Sequence, residues 1–173
     1  MAIPNIVDGT TTVDPAFFLN AANRAIRAYC GWHVAPVIPE ILTLDGSGGK
    51  TLLLPSLRIV EIESVLSDGV DVTERVQVSK RAGMLEIDGV WSKRLGGIEV
   101  TLDHGYSLDE VPDVATLILN VAKRAGSGQS LIASQSANGA SVSYLTAGGA
   151  PLSVPLLQIE KDALSPYKLT WGP

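Results

Sequence analysis

The hydrophobic period of this chain changes twice, and each change marks a boundary in the fold. Between Asp14 and Cys30 apolar residues recur at helical spacing, with Phe18, Ala22, Ala25 and Tyr29 on one face and Asn20, Asn23, Arg24 and Arg27 mostly elsewhere. From Glu40 to Asp103 short runs rich in Ile, Val, Leu and Thr take over, the pattern of strands. The helical spacing then returns between Pro112 and Ala125, where Val114, Leu117, Ile118, Val121 and Ala125 form one stripe. This order predicts an α+β fold: a small helical core from the N-terminal and middle helices, an inserted antiparallel β unit over 40–103, and an extended, loop-rich C-terminal arm.

Local signals sharpen those boundaries. Asp14 can cap the first helix, Pro15 suits its first position, and Gly31 can end it. Glu40–Leu44, Thr51–Leu54, Ile59–Leu66, Met84–Asp88 and Ile98–Leu102 read as strands. The glycine-rich stretch 45–49 reads as a hairpin loop, and Asp68-Gly69 and Asp88-Gly89 read as two-residue hairpin turns. Asp109, Glu110 and Asp113 place negative charge at the start of the second helix, while Lys123 and Arg124 place cation at its end before Gly126. Residues 1–125 are thus expected to form the core. Residues 126–173 are expected to hold a flexible loop, a strand within 140–146, a short helix over Pro155–Leu164 with Leu156, Leu157, Ile159 and Leu164 as its apolar side, and an extended tail from Ser165.

Composition narrows the function. A chain of 173 residues that is 46 % apolar can bury a core as one domain or as a domain with a tail. Its net charge of −5 and the absence of any Lys/Arg run disfavour a protein that grips nucleic acid by its phosphates. A single cysteine, Cys30, leaves no internal disulfide and no multi-cysteine zinc module. The first residues lack the charge and apolar run of a signal peptide, and no apolar stretch reaches the ~18–20 residues of a membrane span, so a soluble, cytosolically made protein is expected.

No motif supplies catalytic chemistry. Gly49-Lys50-Thr51 resembles the end of a phosphate loop, but Leu44 stands where its first glycine belongs, and a strand-like run follows instead of a helix. His33 and His104 have no ligand-spaced neighbour, and Cys30 falls where helix packing is expected, so a zinc site or a Cys30–His33 nucleophile pair is disfavoured. Ser127 has glycines at ±1 rather than the ±2 of a nucleophile elbow. Trp32, Trp91 and Trp171 are scattered, and Trp91 beside Lys93 and Arg94 reads as core more readily than as a base-stacking platform. No enzyme activity and no cofactor or metal is expected.

The order of elements, however, is similar to that of a known family. Ala25-Ile26-Arg27-Ala28-Tyr29-Cys30-Gly31-Trp32-His33-Val34-Ala35-Pro36, Leu52-Leu53-Leu54-Pro55-Ser56-Leu57 and Asp88-Gly89-Val90-Trp91 carry the likeness in the first half. Val100-Thr101-Leu102-Asp103-His104-Gly105-Tyr106 leading to Val111-Pro112-Asp113-Val114, then Ser141-Val142-Ser143-Tyr144 and the segment 164–169, carry it in the second. From about Asp14 onward the chain resembles the head-to-tail connector, or adaptor, proteins of long-tailed, siphovirus-type bacteriophages, in particular those of actinobacteriophages. Its tail, with Lys161 and Lys168 as the basic residues, is less basic than the family's.

The resemblance implies a structural virion protein of the head–tail interface, assembled in the bacterial cytoplasm. Copies would form a dodecameric ring under the portal protein, extend the channel for packaged DNA without binding it specifically, and meet the stopper (head-completion) protein. Tyr167, Leu169 and Trp171 are the expected portal-docking anchors, read as exposed apolar residues in a polar tail. Ser141, Val142, Ser143 and Tyr144 are the expected stopper-facing or lumen-facing segment. Another neck ring protein, a stopper or tail terminator, is the alternative; its mainly β architecture fits the two helices less well.

Overall fold

The computed structural model describes residues 14–126 and 156–171, together with the backbone of 134–137, 140–143, 146–147 and 150–151. The order of elements is α1 (Pro15–Cys30), β1 (Ile38–Leu44), β2 (Thr51–Leu53), β3 (Ile59–Ser67), β4 (Val70–Asp71), β5 (Val76–Ser79), β6 (Met84–Ile87), β7 (Ile98–His104), α2 (Pro112–Gly126), β8 (Ser134–Ala137), β9 (Ala140–Ser143), β10 (Thr146–Ala147), β11 (Ala150–Pro151) and α3 (Gln158–Leu164). The chain is an α+β mixture, and its contacts divide it into two compact units. One comprises Met1–Ile26 and Asp113–Ala163; the other comprises Arg27–Pro112 and Leu164–Pro173.

The second unit holds strands β1–β7. β1, β7, β3 and β4 form one antiparallel sheet in that order, and β2, β6 and β5 form another. β7 is the spine of the first sheet. Its even positions Ile98, Val100, Leu102 and His104 are buried, while Glu99, Thr101 and Asp103 point to the other face, as the two-residue repeat of a strand requires. β1 follows it in strict register, from Ile38 opposite His104 to Leu44 opposite Ile98. β3 does not, because its register against β7 shifts at Val60 and again at Glu63. Each shift inserts one residue, so Ile59, Ile62 and Val65, three apart in sequence, all reach the core face. The core is completed from the second sheet by Leu52, Leu85 and Ile87, and by Leu54, Val72 and Trp91.

Several turns differ from expectation. Asp68-Gly69 does close a two-residue hairpin between β3 and β4, with φ of +50° and +79°, the pair of positive values that a type I′ turn needs. The stretch 45–49 is no hairpin loop, because β1 and β2 belong to different sheets. Asp88-Gly89 likewise begins the passage from β6 in one sheet to β7 in the other. The hairpin of the smaller sheet is instead β5–β6, closed by residues 80–83. Strands β4 and β5, which the sequence pattern did not single out, flank a short 3-10 turn at Thr73–Arg75.

In the other unit, the Asp14 side chain accepts the Phe17 amide at 2.9 Å, the expected N-cap of α1. α2 buries Val114 and Val121. α3 is shorter than the expected Pro155–Leu164, and Ile159 is 75 % exposed rather than part of its buried side. α3 is tied to α2 by a bidentate ion pair, Arg124 Nη1 to Glu160 Oε1 at 2.5 Å and Nη2 to Oε2 at 3.0 Å. Burial works to raise the Glu160 pKa. The Arg124 hydrogen bonds, the Leu157 amide and the Arg124 charge outweigh it and hold the carboxyl below its ordinary value. The backbones of β8 and β9 pair with each other, as do those of β10 and β11.

Because β7 lies between two strands and Leu102 is 1 % exposed, Leu102→Ala is expected to cost about 2–5 kcal/mol, read as a lower urea midpoint with unchanged slope.

Candidate functional site

The strand β7 ends in a junction that gathers three separate stretches of chain. His104 is 1 % exposed, and its Nε2 donates to Glu40 of β1 at 2.8 Å. Its ring meets that of His33 edge-on, with centroids 4.4 Å apart, and His33 Nε2 donates to the Pro36 carbonyl at 3.0 Å. Gly105 follows with φ of +114°. A Cβ there would stand 2.5 Å from both His33 Nε2 and the Pro36 oxygen, so only glycine fits. Tyr106 then donates its amide to the Val34 carbonyl at 2.8 Å.

Val34 is buried and has φ of +65°, a conformation that costs a β-branched residue about 1–2 kcal/mol. It is held from both sides. Arg27 donates from Nε to the His33 carbonyl at 3.1 Å and from Nη2 to the Ala35 carbonyl at 2.9 Å, bracketing the strained residue. Cys30, at the end of α1, is fully buried, and that burial pushes its thiol up to about 11 against a smaller opposing effect of Lys168. Buried and protonated, the thiol is a poor nucleophile near neutral pH.

The C-terminal segment closes on this junction, contrary to the expected extended tail. Ser165–Tyr167 form a 3-10 turn. The Trp32 indole donates to the Tyr167 carbonyl at 2.7 Å, and the Tyr167 ring meets Tyr106 edge-on at 5.6 Å. Leu169 is buried over Gly31, and its amide donates to the Cys30 carbonyl at 2.8 Å. The Trp171 indole donates to the Leu54 carbonyl at 3.1 Å. The physical reason is the apolar character that marked these three residues in sequence: the same side chains that suit a partner also suit a vacant surface of their own chain.

A second feature is electrostatic. The four strands of the larger sheet contain Glu40, Glu61, Glu63, Asp71, Glu99 and Asp103 and neither Lys nor Arg. Those six acids exceed the whole chain's net charge of −5. Glu40 serves His104; among the described residues the other five form no ion pair. Glu61 stands directly opposite Asp103, a like-charge pairing that weakens a sheet. The Asp71 carboxyl is held low by the Thr73 hydroxyl and then the Thr73 amide, its hydrogen-bond donors. By register Glu61, Asp71, Glu99 and Asp103 lie on the outer face of this sheet, while Glu40 shares the core face with His104. The outer face is thus acidic, though it also carries Ile41 and Thr101, and Arg75 lines the recess beside Glu63 and Asp71.

The remaining sequence candidates are dispersed. Lys50 precedes β2 in an exposed turn, Trp91 is core at 1 % exposure, and Lys93 and Arg94 are exposed beside it. Glu110 closes a capping box with Ser107 and pairs with Arg58 at 2.6 Å. Asp113 lies in the first turn of α2. Among the described residues no group of three or more His, Cys, Asp or Glu side chains could hold a metal. Ser141, Val142 and Ser143 lie in β9, of which only the backbone is described, and Ser127 and Tyr144 lie outside the described residues. The acidic face escaped sequence reading because its members come from strands far apart in the chain.

No protein-family model matches the chain, and no curated protein does. Among solved structures it is similar to a chain from the neck of an empty gene transfer agent (GTA) particle computed with C6 symmetry. The TM-score is 0.53 at 15 % identity, over 96 % of this chain and 84 % of the other. The fold is thus of a kind found in the neck of a phage-like particle.

Two expectations follow from the junction. Leu169→Ala should cost about 2 kcal/mol in chemical unfolding, since the segment is part of the folded body; an unchanged midpoint would mean that it is not. Burial and then the nearby His104 lower the His33 pKa, outweighing the Pro36 and His104 carbonyls and Glu40, which raise it. The folded state therefore binds fewer protons than the unfolded chain as pH falls through the ordinary histidine value of about 6.5. Stability should be full above that value and decline below it, and His33→Gln should flatten the decline in melts between pH 7.5 and about 5.5.

Proposed function

We propose that this chain is the head-to-tail adaptor of a long-tailed phage or phage-like particle. It is a structural, non-enzymatic subunit that forms a dodecameric ring under the portal, extends the DNA channel and joins the capsid to the stopper or tail. The observation that carries this reading is the likeness in fold to the neck chain over 96 % of the sequence. The ordered run of adaptor-like segments, from Tyr29-Cys30-Gly31-Trp32-His33 through His104-Gly105-Tyr106 to Pro112, supports the same position in the neck.

The acidic sheet gives the reading a physical role. A channel for duplex DNA must pass the phosphate backbone without retaining it, and a surface rich in carboxylates offers it few cations to exchange for counterions. We assign the outer face of the sheet, with Glu61, Glu99 and Asp103, to the channel side. Portal docking falls to the C-terminal segment with Tyr167, Leu169 and Trp171. Their present partners, Tyr106, Cys30 with Gly31, and Leu54, must then be exchanged or left in place while adjoining surface makes the contact. The segment 141–144 is assigned to the stopper or the lumen. Assembly takes place in the host bacterial cytoplasm, and the product resides in the virion.

Negative-stain electron microscopy of the protein mixed with the portal encoded in the same genome tests the reading. Added ring density at the tail-side end of the portal is expected. A bare portal beside monomeric protein would overturn the adaptor position and favour a later ring of the neck. In assembled rings Glu61→Lys with Glu99→Lys should confer salt-sensitive retention of duplex DNA; no retention would remove the channel assignment.

A further inference from the structure

The helical unit carries a groove and a knob on different faces. The groove, of about 680 Å³, lies between the start of α1 and the end of α2; Phe18, Leu19, Leu119 and Ala122 line it, with Lys123 at the α2 side and Asp14, whose carboxylate caps α1, at the other. Its walls are apolar, and Leu119 is 61 % exposed. Lys123 on its rim forms no ion pair among the described residues. The knob is Ile159 on α3, the side chain that sequence periodicity placed inside and the structure places outside. Asp162, three residues on and so on the same helix face, accepts a hydrogen bond from Gln158 at 2.7 Å and forms no ion pair among the described residues.

A single copy cannot fill its own groove with its own knob. α3 is fixed to α2 through Arg124 and Glu160. At ~100° per residue, Arg124 projects roughly 140° around α2 from Leu119, so knob and groove lie on separated sides of that helix. The features match in kind: an apolar side chain flanked by an anion, and an apolar slot whose α2 side carries a cation, its one carboxylate, Asp14, being engaged as the cap of α1.

From this match we infer that the helical unit of one copy docks on that of the next, Ile159 entering the slot beside Leu119 and Asp162 meeting Lys123. Such a contact joins two different patches, so it is heterologous and repeats from copy to copy. Repetition of that kind closes into a ring where the rotation allows. The inference rests on the adaptor reading and names the subunit contact that reading leaves open. Burying Ile159 and Leu119 supplies the hydrophobic part, and the rim pair sets the register.

The test is cross-linking between copies assembled on the portal. Cys30 is buried and its thiol is unreactive near neutral pH, so it can stay. A chain carrying both Leu119→Cys and Ile159→Cys, treated with a short bis-maleimide, should give a ladder of covalent oligomers extending to the ring. Either substitution alone should give no ladder. Lys123→Glu alone should lose ring particles and Asp162→Lys alone likewise, while the two together in one chain should restore them. All four side chains sit at the surface, so each variant should still melt cooperatively, Lys123→Glu a few degrees lower for its lost helix-end charge.

Rings that form on the portal with no 119–159 cross-link, or that ignore both charge reversals, would overturn this contact and leave the adaptor reading standing. A wild-type protein that forms no ring on the portal would overturn the adaptor reading, and this inference with it.

Discussion

The fold of the β-containing unit depends on β7. Seven residues, Ile98–His104, carry the core side chains of the sheet, pair with both neighbours and end in the junction that gathers the rest of that unit. Its inward positions leave no room for polarity until His104, and there a carboxylate from the neighbouring strand answers the imidazole. Immediately beyond, Gly105 lets the chain pass closer to His33 and Pro36 than any side chain would permit. The strained Val34, its Arg27 bracket and the tail over Cys30 all gather at this crossing. The segment carrying the family-like His104-Gly105-Tyr106 run is thus the mechanical centre of its unit.

The two faces of that sheet do different work. The inner face is conventional, since its Ile, Val and Leu side chains supply the hydrophobic free energy that the unit needs. The outer face draws Glu61, Glu99 and Asp103 from strands that contain neither Lys nor Arg and accepts a directly opposed acidic pair. A sheet optimised for stability alone would mix the signs. Retaining the repulsion fits a surface selected for its field toward a polyanion rather than for its contribution to folding, which links this local cost to the proposed channel.

How much of this could be read in advance follows from the range of each interaction. α1 and α2 were legible with their caps, because periodicity and capping are encoded within one or two turns. The Asp68-Gly69 hairpin was legible for the same reason. β3 was found as a strand, but its core set was not, since the two bulges turn a spacing of three into a single face. The loop at 45–49 has hairpin composition yet crosses between sheets, a choice made by strands that pair far along the chain. Ile159 was placed inside by its apolarity, although α3 is a short helix that buries mainly its Leu164 end. The three tail residues were recognised as sticky. Local sequence carries no mark of whether such residues meet a partner or their own chain.

The adaptor role requires this protein to sit between head and tail in an assembled particle. Immunogold electron microscopy of purified particles, with an antibody raised against the exposed segment around Leu95, measures that directly. Labelling confined to the junction between head and tail is the predicted result. Labelling along the tail or at its tip, or particles that lack the protein altogether, would contradict it.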